Sequence, residues 1–345
     1  MDTMKALIFH SPGRIAVEEV PRPHAGPGEI VIKTVAASIC ASDLRVYRGE
    51  KYAKPGVIPG HEFAGTVVEK GAGVEDIALG DRVTLCPVWA CDRCEFCIKG
   101  KRNRCVHRLT LGYDENGGMA EYVLVSAGLV DQGHVIKLPD DVPFELASLT
   151  EPFSCTLHSM EVCQVRPGGS IFVIGAGPMG IMHLLLAQAM GLTITILSDF
   201  VDARLEHAKA LGATAVVNPK RQDVTEVVMQ ATGGKGADAA ILSVGNPDAI
   251  TQCLKATRKQ GFVNLFGGFP PNSATNLDPN LIHYNELFVT GTQNAPTDYY
   301  LRMVHILRTL PKAERVITHR FPLSQADKAY ESRLALEGLK ILVIP

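Results

Sequence analysis

What this chain most plainly lacks is net charge. Its 34 Lys and Arg face 36 Asp and Glu, a formal charge of −2, so no overall field draws it to nucleic acid or to an anionic bilayer. It has no internal repeat and no low-complexity segment. Its first residues, MDTMKALIFH, lack a basic region followed by a long apolar stretch and a cleavage site; no secretory leader is expected, and the expected location is cytoplasmic.

Apolar residues and cysteine are plentiful. At 345 residues and 46% apolar content the chain has length and material for two domains, each with its own core. Nine cysteines without an export signal point to thiols and metal ahead of disulfides.

One stretch organises the rest: residues 171–199, IFVIGAGPMGIMHLLLAQAMGLTITILSD, which read as strand, tight glycine turn, helix and strand. In a dinucleotide site the first glycine (Gly175) makes the turn. The second (Gly177) lets the backbone approach a pyrophosphate, and the third (Gly180) lets helix and strand pack closely. The helix N-terminus then offers free N–H groups to the anion. An acid ending the second strand takes the ribose hydroxyls, and Asp199 stands 19 residues past Gly180. It also repels a 2′-phosphate, so NAD is expected over NADP. The run is apolar enough to suggest a membrane span, but His183, Gln188, Pro178 and four glycines interrupt it and its flanks are strand-like, not basic. No membrane association is expected.

Before this stretch, residues 4–70 alternate short β-rich runs (KALIFH, IAVEEV, EIVIKTVAAS, FAGTVVEKG) with Gly and Pro turns, and 80–87 and 118–138 add further strands. Such a pattern predicts a compact, barrel-like β unit. Beyond Asp140 helix and strand alternate. Strands are expected at 171–174, 193–197, 215–218, 237–242, 261–266 and 287–291, with helices at 178–190, 201–211, 222–231 and 247–258. Six strands is the count of a full doubly wound dinucleotide sheet. From residue 299 the texture changes again, which a cofactor domain inserted into a discontinuous first domain explains.

Cys91-x2-Cys94-x2-Cys97-x7-Cys105 is the strongest metal signal. Two residues between thiolates let one loop wrap a tetrahedral ion, and four sulfurs with no open position describe a structural zinc site. Disulfides among cysteines so closely spaced would be strained. Basic residues crowd the loop (Arg93, Lys99, Lys101, Arg102, Arg104, Arg108), as a nucleic-acid-gripping ribbon would require. Charge balance explains them better: four thiolates around Zn²⁺ carry about two net negative charges. No nucleic-acid partner is expected. A catalytic metal needs fewer protein ligands and a vacancy, and Cys40 in SICASD with His61-Glu62 in PGHEFAG are the candidates.

Taken together, Gly60-His61-Glu62-x2-Gly65-x5-Gly71-x2-Val74, the Cys-x-Ser-Asp at 40–43, the four-cysteine loop, Glu151-Pro152 and the GAGPMG turn resemble the zinc-dependent medium-chain alcohol dehydrogenases. The resemblance covers essentially the whole chain. It is closest to the sorbitol (polyol) and sugar-alcohol branch, through Glu151, SDFVDAR and IHYNELFVTGT at 282–292, although threonine dehydrogenases share much of the pattern.

The resemblance implies an α/β fold in which a six-stranded, doubly wound Rossmann sheet (152–288) is inserted into a mainly-β, GroES-like catalytic domain (1–151 and 289–345). It implies two zinc ions per subunit and NAD. Cys40 and His61 are implied as catalytic-zinc ligands, with Glu62 bound directly or one shell away, and Glu151 a ligand or reaching the metal through water. Asp43 is implied to orient His61, and Ser42 to accept the substrate proton and pass it on. Cys91, Cys94, Cys97 and Cys105 hold the structural ion. Gly175, Gly177, Met179 and Gly180 are implied along the pyrophosphate and Asp199 and Arg204 around the adenosine ribose. Leu265, Phe266, Gly267, Gly291 and Thr292 are implied at the nicotinamide. Arg45 stands where many relatives carry histidine; a guanidinium cannot accept a proton, so it is either a surface residue or a contact for an anionic substrate. The substrate is expected to be a small secondary alcohol of polyol or sugar type, and the assembly a homodimer or homotetramer.

Overall fold

A computed structural model describes residues 2–345. The chain divides into two compact units, one comprising Met1–Ser154, Ala295–Thr309 and Glu314–Pro345, the other Cys155–Asn294 and Leu310–Ala313.

The first unit is built on a seven-stranded sheet. Its order is Ile317–Pro322, Lys340–Ile344, Ile30–Ser38, Phe63–Lys70, Arg82–Leu85 and Val135–Lys137, with Tyr122–Val125 also pairing to Ile30–Ser38. Apolar residues at alternating positions send Ile30, Ile32, Phe63, Val67, Val83, Val123, Ile341 and Val343 into one core, the period-two burial that β-branched strands provide. The final strand closes the sheet. Leu342 stands opposite Ser38 and Val343 opposite Ala37, so the end of the chain lies beside the segment that leads into Cys40. Residues Thr3–Ser11 and Arg14–Pro21 form a separate antiparallel pair. Residues 118–138, expected as strands alone, contain a helical turn at Ala127–Asp131. Ser126 leads it, and its carbonyl accepts the N–H groups of Leu129 and Val130, a local bonding pattern that hydropathy does not reveal.

The second unit carries six parallel strands in the order Ala215–Val217, Ile194–Ser198, Ser170–Ile174, Ala237–Leu242, Thr257–Leu265 and Phe288–Gly291. This is the doubly wound arrangement, with its switch point between the first and fourth strands of the unit. Strand Ser170–Ile174 is buried on both faces, which is why it reads as uninterrupted apolar sequence. The fifth strand begins at Thr257, four residues before the expected start, through an irregular register that includes Gln260 at φ +56°. Helix Pro178–Ala189 has 12 residues and so spans about 18 Å, against about 30 Å for a bilayer core. Its apolar character serves burial on all sides. Among the described residues, no helix is long and apolar enough to cross a membrane.

Candidate active site and metal centres

The four-cysteine loop folds around a point. The sulfurs of Cys91, Cys94, Cys97 and Cys105 all lie within 4.8 Å of one another, with Cys94–Cys97 and Cys91–Cys105 at 3.5 Å. A zinc tetrahedron with ~2.3 Å bonds has sulfur–sulfur edges of about 3.8 Å, so the donor set fits that ion. Backbone N–H groups of Cys91 and His107 donate to Cys105 Sγ at 3.3 Å. N–H bonds from the peptide of Cys97 and then Val106 bring the Cys94 thiol down to about 6. Cys91 is lowered by the same kind of bond, whereas burial and then the neighbouring sulfurs push Cys97 up to about 12; four sulfurs so close cannot all carry charge without a cation among them.

The second donor set is assembled from distant segments. Cys40, His61 and Glu62 place one ligand atom each within 4.8 Å of the others. Cys40 flanks helix Ala41–Tyr47, and its N–H donates to Asp43 Oδ2 at 2.9 Å. Asp43 Oδ1 faces His61 Nδ1 at 3.4 Å in a buried site, which turns the Nε2 side of the ring away from the carboxylate. Burial opposes a charged imidazole at His61, but Asp43 and Cys40 outweigh it and push its pKa well up. The field of this pocket thus favours positive charge, as a metal-binding site must. Glu151, in the first turn of helix Thr150–Val162, stands outside this compact set.

Glu62 is fully buried and already engaged. Lys340 Nζ donates to its Oε1 at 2.7 Å and its Oε2 at 2.6 Å, and Ser38 Oγ donates to Oε2 as well. Burial acts against both charges and raises the Glu62 carboxyl, while Glu62 holds the Lys340 ammonium up, so the two groups form one tightly bonded buried pair. Ser42 Oγ accepts a 2.6 Å hydrogen bond from Tyr113 Oη, and the Tyr113 ring lies 5.1 Å from that of His61. Burial pushes the Tyr113 phenol well above its ordinary range, so it stays a donor. Lys51 Nζ sits 3.5 Å from the Tyr113 ring centroid, a cation–π contact. Arg45 pairs with Glu50 at 3.5 Å and is partly exposed.

The second unit carries the glycine turn. Gly175 has φ +104°, a conformation that L residues avoid, and a Cβ there would meet Ser243 Oγ at 2.7 Å. A Cβ on Gly180 would stand 1.8 Å from the Gly175 carbonyl, so helix and strand touch there. Around Gly177, by contrast, the nearest atom to such a Cβ is Arg204 Nη1 at 3.9 Å. A cradle open at the second glycine and closed at the other two suits a pyrophosphate on the N-terminus of Pro178–Ala189. Asp199 ties the turn to the second strand: Oδ2 accepts from Ala176 N–H at 2.8 Å and Oδ1 from Val201 N–H at 2.9 Å. Arg204 Nη1 lies 4.0 Å from Asp199 Oδ2. Leu265, Phe266, Gly267 and Thr292 line one cavity of about 450 Å³, and Gly291 pairs with Leu265 in the sheet beside it.

Two zinc-type donor sets and a dinucleotide-type turn on one chain define a zinc- and nicotinamide-dependent dehydrogenase. Comparison with known proteins gives the family. Residues 26–140 match the alcohol dehydrogenase GroES-like domain and 178–307 the zinc-binding dehydrogenase domain. The chain is 32% identical to sorbitol dehydrogenase of Bacillus subtilis strain 168 over 99% of its length and 97% of that protein's. It is 34% identical to L-threonine 3-dehydrogenase of Symbiobacterium thermophilum over 100% and 98% of the two chains. A zinc-binding dehydrogenase from Sinorhizobium meliloti 1021, solved bound to NADP, superposes with a TM-score of 0.94 at 31% identity over the whole of both chains. The chain belongs to the zinc-dependent medium-chain alcohol dehydrogenase family.

Sequence reasoning missed Lys340, Ser38, Tyr113 and Lys51. For Lys340 a signal existed: it is the single charge opening the otherwise apolar terminal strand KILVI. Nothing local marks the other three.

Proposed function

We propose that the protein oxidises the secondary hydroxyl of a small polyol or sugar-derived alcohol, using NAD. The observation that carries this is the Cys40–His61–Glu62 set with Ser42 beside it, held in one buried, cation-favouring pocket. When bound, zinc supplies the Lewis acidity that eases removal of the alcohol proton, and nicotinamide supplies the hydride acceptor. The chain's own residues do the rest. Cys40 and His61 hold the metal, with Asp43 fixing the imidazole. Glu62 completes the set or stands next to it, its charge held by Lys340. Because Tyr113 donates to Ser42, the serine oxygen keeps one lone pair to accept the substrate proton and its own proton to pass onward. Asp199 disfavours a 2′-phosphate, and Arg204, near it, contacts the ribose.

A second reading has an observation of its own. Arg45 is paired with Glu50, whereas Lys51, among the described residues, makes no ion pair and stacks on the ring that bonds Ser42. Burial draws the Lys51 pKa down against the pull of Cys40 and Asp43, and an anion beside it would restore the ammonium, which favours an anionic substrate such as L-threonine through its carboxylate or a sugar phosphate. The test is NADH formation at 340 nm by zinc-replete protein, with NAD and with NADP, on polyols, cyclitols, sugar phosphates, sugar acids and L-threonine. Turnover of a neutral polyol with NAD supports the first reading; turnover confined to anionic substrates, abolished in Lys51→Met, supports the second. Silence with every alcohol would overturn both. Asp199→Gly is expected to relax the preference for NAD, and unchanged discrimination would remove Asp199 from that role.

A further inference from the structure

A buried chain of polar side chains runs through the second unit from the glycine turn to the cavity by Phe266. His183 Nδ1 lies 2.7 Å from the Met179 carbonyl and Nε2 3.1 Å from Ser159 Oγ. Asn264 Nδ2 lies 2.8 Å from the same hydroxyl and 3.1 Å from Thr292 Oγ1. His183, Ser159 and Asn264 are all 0% exposed, and the Phe266 ring stands edge-on to the imidazole at 4.9 Å. None of the motifs that place the cofactor includes His183, Ser159 or Asn264.

Counting protons gives this chain a direction. The Met179 carbonyl only accepts, so Nδ1 of His183 carries hydrogen. Burial holds this histidine neutral, its pKa brought down to about 4, so Nε2 accepts and the single Ser159 proton goes to it. The Asn264 amide, which also faces the Ser159 carbonyl at 3.4 Å and the Cys163 thiol, gives one hydrogen to the nearer Ser159 hydroxyl at 2.8 Å and the other to Thr292 at 3.1 Å. Thr292 therefore reaches the cavity with its own proton held by one long contact only. It donates to Asn264 Oδ1 at 3.4 Å, at the far end of hydrogen-bond range, a bond that a closer acceptor on a bound ring would replace.

We propose that this network sets Thr292 as a directed hydrogen-bond donor to the carboxamide oxygen of the nicotinamide, with His183, Ser159 and Asn264 as positioning residues. The inference rests on the reading of this cavity as the nicotinamide pocket. It explains why a histidine, a serine and an asparagine occupy fully buried positions where apolar side chains would be less costly to bury. It also links the carbonyl of Met179 in the pyrophosphate turn to the orientation of the ring at the other end.

Direct binding separates this role from a structural one. In Thr292→Val the Kd for NADH should rise about tenfold, the worth of one neutral hydrogen bond at ~1.4 kcal/mol. The Kd for ADP-ribose, which lacks the ring, should not change, nor should that of a dinucleotide whose pyridine bears no carboxamide. Thr292→Ser keeps the donor and should bind NADH within about twofold of the parent. His183→Leu, three contacts away, should weaken NADH by a smaller factor and again spare ADP-ribose. An unchanged NADH Kd in Thr292→Val, or equal losses for NADH and ADP-ribose, would overturn the proposal. Failure of the unmodified protein to bind either ligand would instead remove the dinucleotide reading beneath it.

Discussion

The two metal-donor sets are built in opposite ways. Cys91, Cys94, Cys97 and Cys105 come from one loop of fifteen residues, and their supporting N–H groups come from the same loop. Cys40, His61 and Glu62 come from a helix start and a strand start, and Glu62 depends on Lys340, 278 positions along the chain. The first set needs only a turn and an ion. The second exists once the sheet has closed on its last strand, so its chemistry is inseparable from the fold around it. A closed set of four thiolates is also suited to hold an ion for structure, while a set of three mixed donors leaves a position for substrate.

This contrast can be broken by mutation, and the largest effect belongs to the loop. Cys97→Ser should remove one zinc equivalent by metal analysis and cost ~4 kcal/mol or more in urea unfolding, because metal binding there is folding energy. Retention of both equivalents would show that the loop does not carry its own ion. Next comes Lys340→Met, which leaves the buried Glu62 carboxylate without its partner. A loss of ~3–5 kcal/mol is expected, partly recovered by Glu62→Gln in the same background; stability equal to the parent would mean that the pair is not ionised.

Acid sharpens the comparison between the two units, since each holds a buried neutral histidine. Burial brings both His134, in the first, and His183, in the second, down to about 4. The stability from such a group is present in full above pH 6.5, where the unfolded imidazole is also neutral, and is lost as pH falls from about 6.5 towards 4 because the unfolded chain takes up the proton first. Each contributes on the order of 3 kcal/mol. Denaturant midpoints should therefore fall across that window, and His183→Leu should flatten the slope; an unaltered slope would place the charge uptake elsewhere. The smallest effect expected is Asp43→Asn, which loosens His61 and should weaken zinc at the Cys40 set by about 10–100-fold while leaving the loop's ion in place. Equal weakening at both would erase the distinction.

The same contrast governs what could be read in advance. The six parallel strands were legible because each is a buried apolar run set off by turns and helices, and the glycine turn because backbone geometry demands those residues at that spacing. The helical turn at Ala127–Asp131 was not, since a few backbone bonds led by Ser126 decide it against hydropathy. In the site, the cysteine spacing and the motif residues could be named from the chain alone. Lys340 and Ser38 could not be joined to Glu62, nor Tyr113 to Ser42, because sheet pairing and loop packing bring them together over distances that no local pattern encodes. The fully buried His183 looked like an interruption of an apolar helix; its meaning appears once Ser159 and Asn264 are seen against it.

The most direct test of the account is timed removal of zinc by a chelator, with bound metal and NAD-linked alcohol oxidation measured on the same samples. Activity should fall in step with the first equivalent to leave and return when zinc is restored, while the second equivalent and the folded state persist. Activity that survives loss of the first equivalent, or a single release in which both ions and the fold are lost together, would contradict it.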